Sequence, residues 1–299
     1  MAARKIELRR SGSLLLTGLL VSALTCLLGC SRPEEAPEEV EAAVDADLAP
    51  GHLSVRALYS ADGPEVDRGG AFYRVNTPDG ESLKGKTRSS RFELDPGQYE
   101  IVVDVGNASA TALAEVRSEE RTEVEVALDA GVLELSSFLV EGGEPASNPF
   151  YDILSAEKDI RGNRESIVSR TRSRSFTLPA GTYIARASEG NAAAEKEIDI
   201  QAGQRHEEPI ILDAGILVAK AVEEDGSEPG RGFFSVSEAE ENIRGEREAV
   251  APRTRSNQFL LPAGEYVIHA YFAGRSAEQE VRIEAGKRRE IELTLPVAE

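Results

Sequence analysis

Residues 87–99 read TRSSRFELDPGQY, residues 171–183 read TRSRSFTLPAGTY, and residues 254–266 read TRSNQFLLPAGEY. Each Thr-Arg-Ser is followed at one fixed spacing by Phe, Leu, Gly and Tyr. The sets are Phe92, Leu94, Gly97 and Tyr99; Phe176, Leu178, Gly181 and Tyr183; and Phe259, Leu261, Gly264 and Tyr266. From Thr87 to Thr171 is 84 residues and from Thr171 to Thr254 is 83. A recurrence of this strictness means one supersecondary unit used three times, and it governs every more local reading.

Features on either side keep step with the blocks. An aromatic pair precedes each one, Phe72-Tyr73, Phe150-Tyr151 and Phe233-Phe234, and each copy opens on apolar residues, Leu53 and Val55, Val132 and Leu133, Ile216 and Leu217. The second and third copies share Ile160-Arg161-Gly162 and Ile243-Arg244-Gly245, which the first lacks. In the third copy Tyr266, Ile268 and Ala270 alternate with Val267, His269 and Tyr271; Gly274 turns the chain; Val281 and Ile283 alternate with charged residues; Ala285-Gly286 turns it again. Period-two patterning punctuated by glycine predicts hairpins with one buried face. Six or seven short strands per copy suit a small two-sheet sandwich better than a wide closed barrel. Within the third copy, Ser237 to Arg247 is expected to form a short helical turn or an exposed loop.

Phe-x-Leu-x-x-Gly-x-Tyr followed by alternating apolar residues resembles the hairpin of the prealbumin-like and carboxypeptidase-regulatory-like β-sandwiches, a group that includes repeats of many bacterial surface and secreted proteins. The resemblance spans residues 51–295 and implies a fold more than a function. It assigns Gly97, Gly181 and Gly264 to turns and the following tyrosines to core strands. The expected fold class is all-β, with three tandem Ig-like or prealbumin-like sandwiches at 51–130, 131–214 and 215–299. Asp129-Ala130-Gly131 and Asp213-Ala214-Gly215 join the copies with hardly a linker, which predicts a semi-rigid rod.

Residues 1–29 read as a signal peptide: Arg4, Lys5, Arg9 and Arg10 precede a Leu-rich run from Leu14 to Leu28. That run is shorter than the roughly 20 residues that cross a bilayer comfortably, so a retained membrane helix is the weaker reading. Leu27-Leu28-Gly29-Cys30 resembles the lipobox of bacterial lipoproteins. The resemblance implies a diacylglyceryl thioether on Cys30, cleavage before it, and acylation of the new terminus, with each buried methylene adding about 0.8 kcal/mol of membrane affinity. The alternative is an ordinary secretory signal cut at Ala23 or Gly29. Cys26 leaves with the signal, so the remaining lone Cys argues against disulfides and thiolate metal sites. Ser31 stands where an Asp would, by the best-known sorting rule of the family, argue for retention in the inner membrane, and its place there favours the outer one. Residues 30–50 carry three prolines and seven acidic residues against one Arg, a composition that predicts a disordered, extended tether.

The formal charge is -19, and the first 29 residues contribute +3, leaving about -22 after cleavage. Nucleic acid is therefore excluded as a partner. The three histidines, His52, His206 and His269, occupy non-equivalent positions without metal-ligand spacing. No nucleophile elbow, phosphate loop or calcium loop occurs, so no catalytic residue, metal or cofactor is assigned beyond the covalent lipid.

Alternating cations are the one pattern with binding content: Arg170, Arg172 and Arg174; Arg253 and Arg255; and Lys84, Lys86 and Arg88 in the first copy. On a strand they share a face, where Arg88, Arg172, Arg174 and Arg255 make a candidate stripe for an anionic glycan or lipid headgroup. The alternative is cross-strand pairing with glutamates that guards a sheet edge. The sequence thus points to a non-enzymatic, membrane-anchored envelope lipoprotein serving as a structural, scaffold or adhesion module toward an envelope protein or glycan. A carbohydrate-binding accessory lipoprotein is the second reading, weakened by the absence of Trp. Oligomeric state is left open.

Overall fold

The computed structural model describes residues 49–67 and 70–297; Cys30, the expected signal peptide and most of the acidic segment lie outside them. The first copy contains β1 (Gly51–Leu58), β2 (Phe72–Asn76), β3 (Ser82–Thr87), β4 (Arg91–Leu94), β5 (Gly97–Val105), β6 (Ala108–Val116) and β7 (Arg121–Ala127). The second contains β8 (Ala130–Phe138), β9 (Phe150–Lys158), β10 (Arg164–Thr171), β11 (Ser175–Pro179), β12 (Gly181–Glu189), β13 (Ala192–Ile200) and β14 (Arg205–Ile211). The third contains β15 (Ala214–Val222), β16 (Gly232–Glu241), β17 (Arg247–Thr254), β18 (Gln258–Pro262), β19 (Gly264–Phe272), β20 (Arg275–Ile283) and β21 (Arg288–Thr294). Every copy pairs a three-stranded sheet, β4-β1-β7 in the first, with a four-stranded sheet, β3-β2-β5-β6, and the order repeats twice. The first and last strands of each copy run parallel, which closes the three-stranded sheet on its own copy.

Alternation decides which side chains meet between the sheets. Tyr266, Ile268, Ala270 and Phe272 of β19 point inward and are buried, and each copy has its own apolar cluster. The second residue of each aromatic pair, Tyr73, Tyr151 or Phe234, enters that core. Tyr151 brings a hydroxyl with it, and the buried Ser137 donates to that oxygen at 3.0 Å. At the equivalent pair the third copy has Phe234 and Ala221, an apolar substitute for both partners that leaves nothing unsatisfied.

The expectation for Ser237 to Arg247 is corrected: β16 runs through Glu241, and residues 242–246 form a tight hairpin turn. Asn242 Oδ1 accepts from Arg244 N at 2.8 Å and Glu246 N at 3.1 Å, and Gly245 holds a φ of 75°. The strand was hard to read because Ser, Glu and Ala occupy most of its positions, which blurs the alternation.

Each Gly of the repeated block lies under the ring of the Tyr two residues on, 3.2 Å from its hydroxyl by a Cβ placed at Gly264. The ring crosses the turn, and its hydroxyl donates to the carbonyl four residues back: Tyr99 to Asp95 at 2.8 Å, Tyr183 to Pro179 and Tyr266 to Pro262 at 3.0 Å.

The two joints share one construction. Asp129 and Asp213 take left-handed backbone (φ 47° and 46°), which a short Asp side chain tolerates. Their carbonyls accept from Ala180 N at 2.8 Å and Ala263 N at 2.7 Å. The turn after β5 meets β11, where Asn107 N donates to Thr177 O, and the turn after β12 meets β18, where Asn191 N donates to Leu260 O, each at 3.0 Å. A Cβ at Gly106 would stand 3.0 Å from that of Thr177, and one at Gly190 2.9 Å from that of Leu260. A Cβ at Gly203 would lie 2.6 Å from Ser60 Oγ, and one at Gly286 2.6 Å from Val140 Cγ1, both of the preceding copy.

Positions with no neighbouring sandwich in this sequence differ. Ala273 stands where the first two copies have Gly106 and Gly190, and Glu119 stands where the last two have Gly203 and Gly286. Ala273 and Glu119 keep left-handed φ values of 47° and 57°. The dihedral alone therefore does not demand glycine; the approach of the next sandwich does.

Gly190→Ala should loosen the second joint, combining left-handed strain of about 1–2 kcal/mol with overlap against Leu260. Hydrogen exchange at the Asn191 amide should accelerate by about tenfold or more, while exchange in the turn after β19 stays unchanged. A second outcome follows from the tyrosines. Burial raises the hydroxyl pKa of Tyr99, Tyr183 and Tyr266 above the ordinary 10.0, so folding favours the protonated form. That contribution is complete below 10.0 and is lost as pH rises through the folded-state values. Tyr266→Phe should cost about 0.5–1.5 kcal/mol in melts at neutral pH and should shrink the alkaline loss of stability.

Candidate functional site

Because the second residue of each aromatic pair points inward, the first must point out. Phe72, Phe150 and Phe233 lie half-buried on the outer face of the four-stranded sheets, beside the edge strands β3, β10 and β17. Thr-Arg-Ser is the corner at which the chain leaves that edge for the other sheet. Thr87, Thr171 and Thr254 accept from the amides of Ser89, Ser173 and Ser256 at 3.1, 3.1 and 3.2 Å. The serine hydroxyls then donate two residues onward, to Arg91 O, Ser175 O and Gln258 O. Held between Thr and Ser, the arginine projects over the outward ring.

The result is a cation-covered phenylalanine on every copy. Lys86 and Arg88 stand 4.7 and 4.6 Å from the Phe72 centroid, and Arg170 and Arg172 stand 4.4 and 4.5 Å from Phe150. Arg253 and Arg255 stand 4.9 and 5.6 Å from Phe233, and Arg253 lies also 4.4 Å from Tyr271. Such contacts are worth about 0.5–1 kcal/mol at exposed sites and hold the guanidinium in a defined place. The corner thus gathers Arg88, Arg172 and Arg255 into equivalent positions. Arg174 lies past it, its carbonyl bonded to Leu135 N of the other sheet, and Lys84 is not over the ring.

Charge pairing separates the copies. Lys86 and Arg74 approach Asp104 at 3.6 and 3.4 Å, so the first cluster is partly neutralised. Among the described residues Arg170, Arg172, Arg253 and Arg255 form no salt bridge, although acidic residues outnumber basic ones by 53 to 34. Cross-strand pairing with glutamates therefore does not account for these four. Arg170 and Arg253 lie on the edge strands β10 and β17, and Arg172 and Arg255 lie just past their ends, which agrees with a charged guard against edge-to-edge association.

The histidines are scattered. His52 lies 3.8 Å from Glu93, His206 accepts from Gln201 N at 3.1 Å, and His269 bridges Ser237 and Glu278 at 3.1 and 3.3 Å. Among the described residues no group of three or more His, Cys, Asp or Glu could hold a metal ion. The pairing of arginine with the outward phenylalanine was missed in the sequence, where aromatic pairs and cations stood as separate patterns. The aromatic pair that precedes every Thr-Arg-Ser, beginning 15 residues before Thr87 and 21 before Thr171 and Thr254, carries that signal when read with the in-out alternation.

Fold and site together define a tandem β-sandwich protein with a repeated cation–aromatic surface. No family model and no curated protein matches the chain. Among solved structures it is similar to the Bacillus anthracis TIE protein, at 18% identity and a TM-score of 0.23, covering 83% of this chain and 51% of that one. The chain thus spans about half the length of that protein. It is similar also to the Bacillus cereus major pilin subunit BcpA, at 12% identity and 0.23, covering 83% and 99%. A Bacteroides thetaiotaomicron protein proposed to bind polysaccharide follows at 7% identity and 0.29, covering 50% and 80%. At such scores these likenesses bear on neither ligand nor partner.

Replacing Arg172 and Arg255 together by Ser removes a cation from two clusters and leaves both cores untouched. On an anionic-polysaccharide column the double variant should elute at distinctly lower salt than the parent protein; elution at the same salt would end the binding role of the stripe.

Proposed function

We propose that this chain is a non-enzymatic envelope lipoprotein, anchored in the outer membrane through lipid on Cys30, whose three sandwiches form a structural, scaffold or adhesion module. The observation that supports the reading is the pair of repeated joints. Glycine is retained wherever one sandwich seats on the next and is absent at the equivalent positions without a neighbour. Residues selected to hold one sandwich against another suit a module whose spacing matters. The acidic stretch from Ser31 to Pro50 would then be the tether, 20 residues that reach at most about 66 Å at roughly 3.3 Å each.

A second reading, an accessory lipoprotein for an anionic glycan, is favoured by the four guanidinium groups that lack carboxylate partners among the described residues and rest on phenylalanine. Both readings share the anchor. Cell fractionation of Cys30→Ser should find the protein released from membranes or left unprocessed; protein that is still processed and membrane-bound would overturn the anchoring.

A further inference from the structure

The third sandwich departs from the other two at the positions that face its outward phenylalanine. Phe72 pairs across the sheet with Asp104, Phe150 with Ser188, and Phe233 with Tyr271. The next outward positions are Val102, Arg186 and His269. Only the third copy therefore puts a second aromatic ring beside the cation cluster, and Arg253 lies against both Phe233 and Tyr271. Arg253 thus rests over two neighbouring rings of one sheet face, each contact favouring its cation, and stays exposed to an acceptor.

The surroundings form an open depression with a mixed polar and apolar lining. Bulges between β16 and β17 open a cleft of about 490 Å³ lined by Ser235, Ser237, Arg247, Arg253, His269 and Tyr271, among others. Arg247 is already engaged, by Glu241 at 3.3 Å and Ala239 O at 3.3 Å. His269 is fixed between Ser237 and Glu278, with its ring stacked on Tyr271 at 6.2 Å. Arg253 is thus the cation of the cleft without a carboxylate partner among the described residues, and Ser235 and Tyr271 line the same cleft.

We propose that this cleft is a subsite for a carboxylated sugar, a uronic-acid unit of an acidic glycan. The carboxylate pairs with Arg253, and ring hydroxyls exchange hydrogen bonds with Ser235 and Tyr271. A simple anion would use the arginine alone, whereas a uronate uses the hydroxyl lining as well. Holding Arg253 in place before the ligand arrives removes part of the ordering cost of binding. The first copy offers an aspartate at the position of Tyr271 and the second a serine, so neither reproduces the clamp. This inference rests on the glycan reading and narrows it to one sandwich.

The test is calorimetric titration of the full chain with oligogalacturonate, a neutral galacto-oligosaccharide and poly-glutamate. Tyr271→Ser installs the residue that the second sandwich carries there, so its fold has a precedent within the same chain. Arg253→Ser and Tyr271→Ser should each weaken oligogalacturonate binding about tenfold, or about 1.4 kcal/mol, Arg170→Ser should weaken it distinctly less, and Arg117→Ser, outside every cluster, should change it less than about twofold. The neutral sugar should bind at least about tenfold more weakly than oligogalacturonate. Equal losses in Arg170→Ser and Arg253→Ser would overturn the subsite and leave the repeated stripe standing. No binding of oligogalacturonate would overturn both, and tighter binding of poly-glutamate would overturn the saccharide.

Discussion

The backbone of one sandwich passes so close to a strand of the next that no side chain fits between them, and the organisation of the described chain depends on that approach. At Gly106 and Gly190 the turn after the central hairpin lies directly on Thr177 and Leu260, close enough for the following asparagine amide to reach a strand carbonyl. Leu260 also packs against the core of the second sandwich, so the joint couples a main-chain hydrogen bond to apolar burial. Small sandwiches of about 80 residues bury a limited core each, and contacts of this kind add to it. Relief of the constraint at Ala273 and Glu119, with the backbone conformation unchanged, identifies the neighbouring sandwich as its cause.

A second division of labour follows from strand alternation. One residue of every aromatic pair completes the core and the other is placed outside, where it needs a cover. Arginine provides that cover without closing the edge to water, because the guanidinium packs its flat face on the ring and keeps its N–H groups outward. The Thr and Ser of the corner aim it there. A motif that repeats for a structural reason thereby presents three equivalent cationic positions on an acidic protein, and in the third copy Tyr271 and His269 line an open cleft beside one of them.

The site was only partly legible beforehand. Arg88, Arg172 and Arg255 were marked by their spacing, and the structure brings each over a phenylalanine; Arg174 shares the alternation but lies past the corner, just before β11. The cleft of the third sandwich was hidden. Its contributors come from β16, β17 and β19, and Ser237, Arg253 and His269 are read as unrelated residues until strand pairing sets them side by side. Strand β16 itself was obscured because its inward apolar residues stop at Val236 and Glu238 follows in the inward register, so its apolar period is short.

By itself the sequence determined that one unit is used three times, that this unit is built of short alternating strands with a glycine-tyrosine turn, and that the chain is strongly acidic. Those properties are local: period, spacing and charge depend on residues within a few positions of one another. Only the tertiary structure decided which sheet each strand joins, that the first and last strands of a sandwich pair in parallel, which glycines answer to a neighbouring sandwich, and which cations share a ring. These depend on pairing between segments tens of residues apart, as in the parallel register of His52 with Arg121, and no local pattern specifies such a partner.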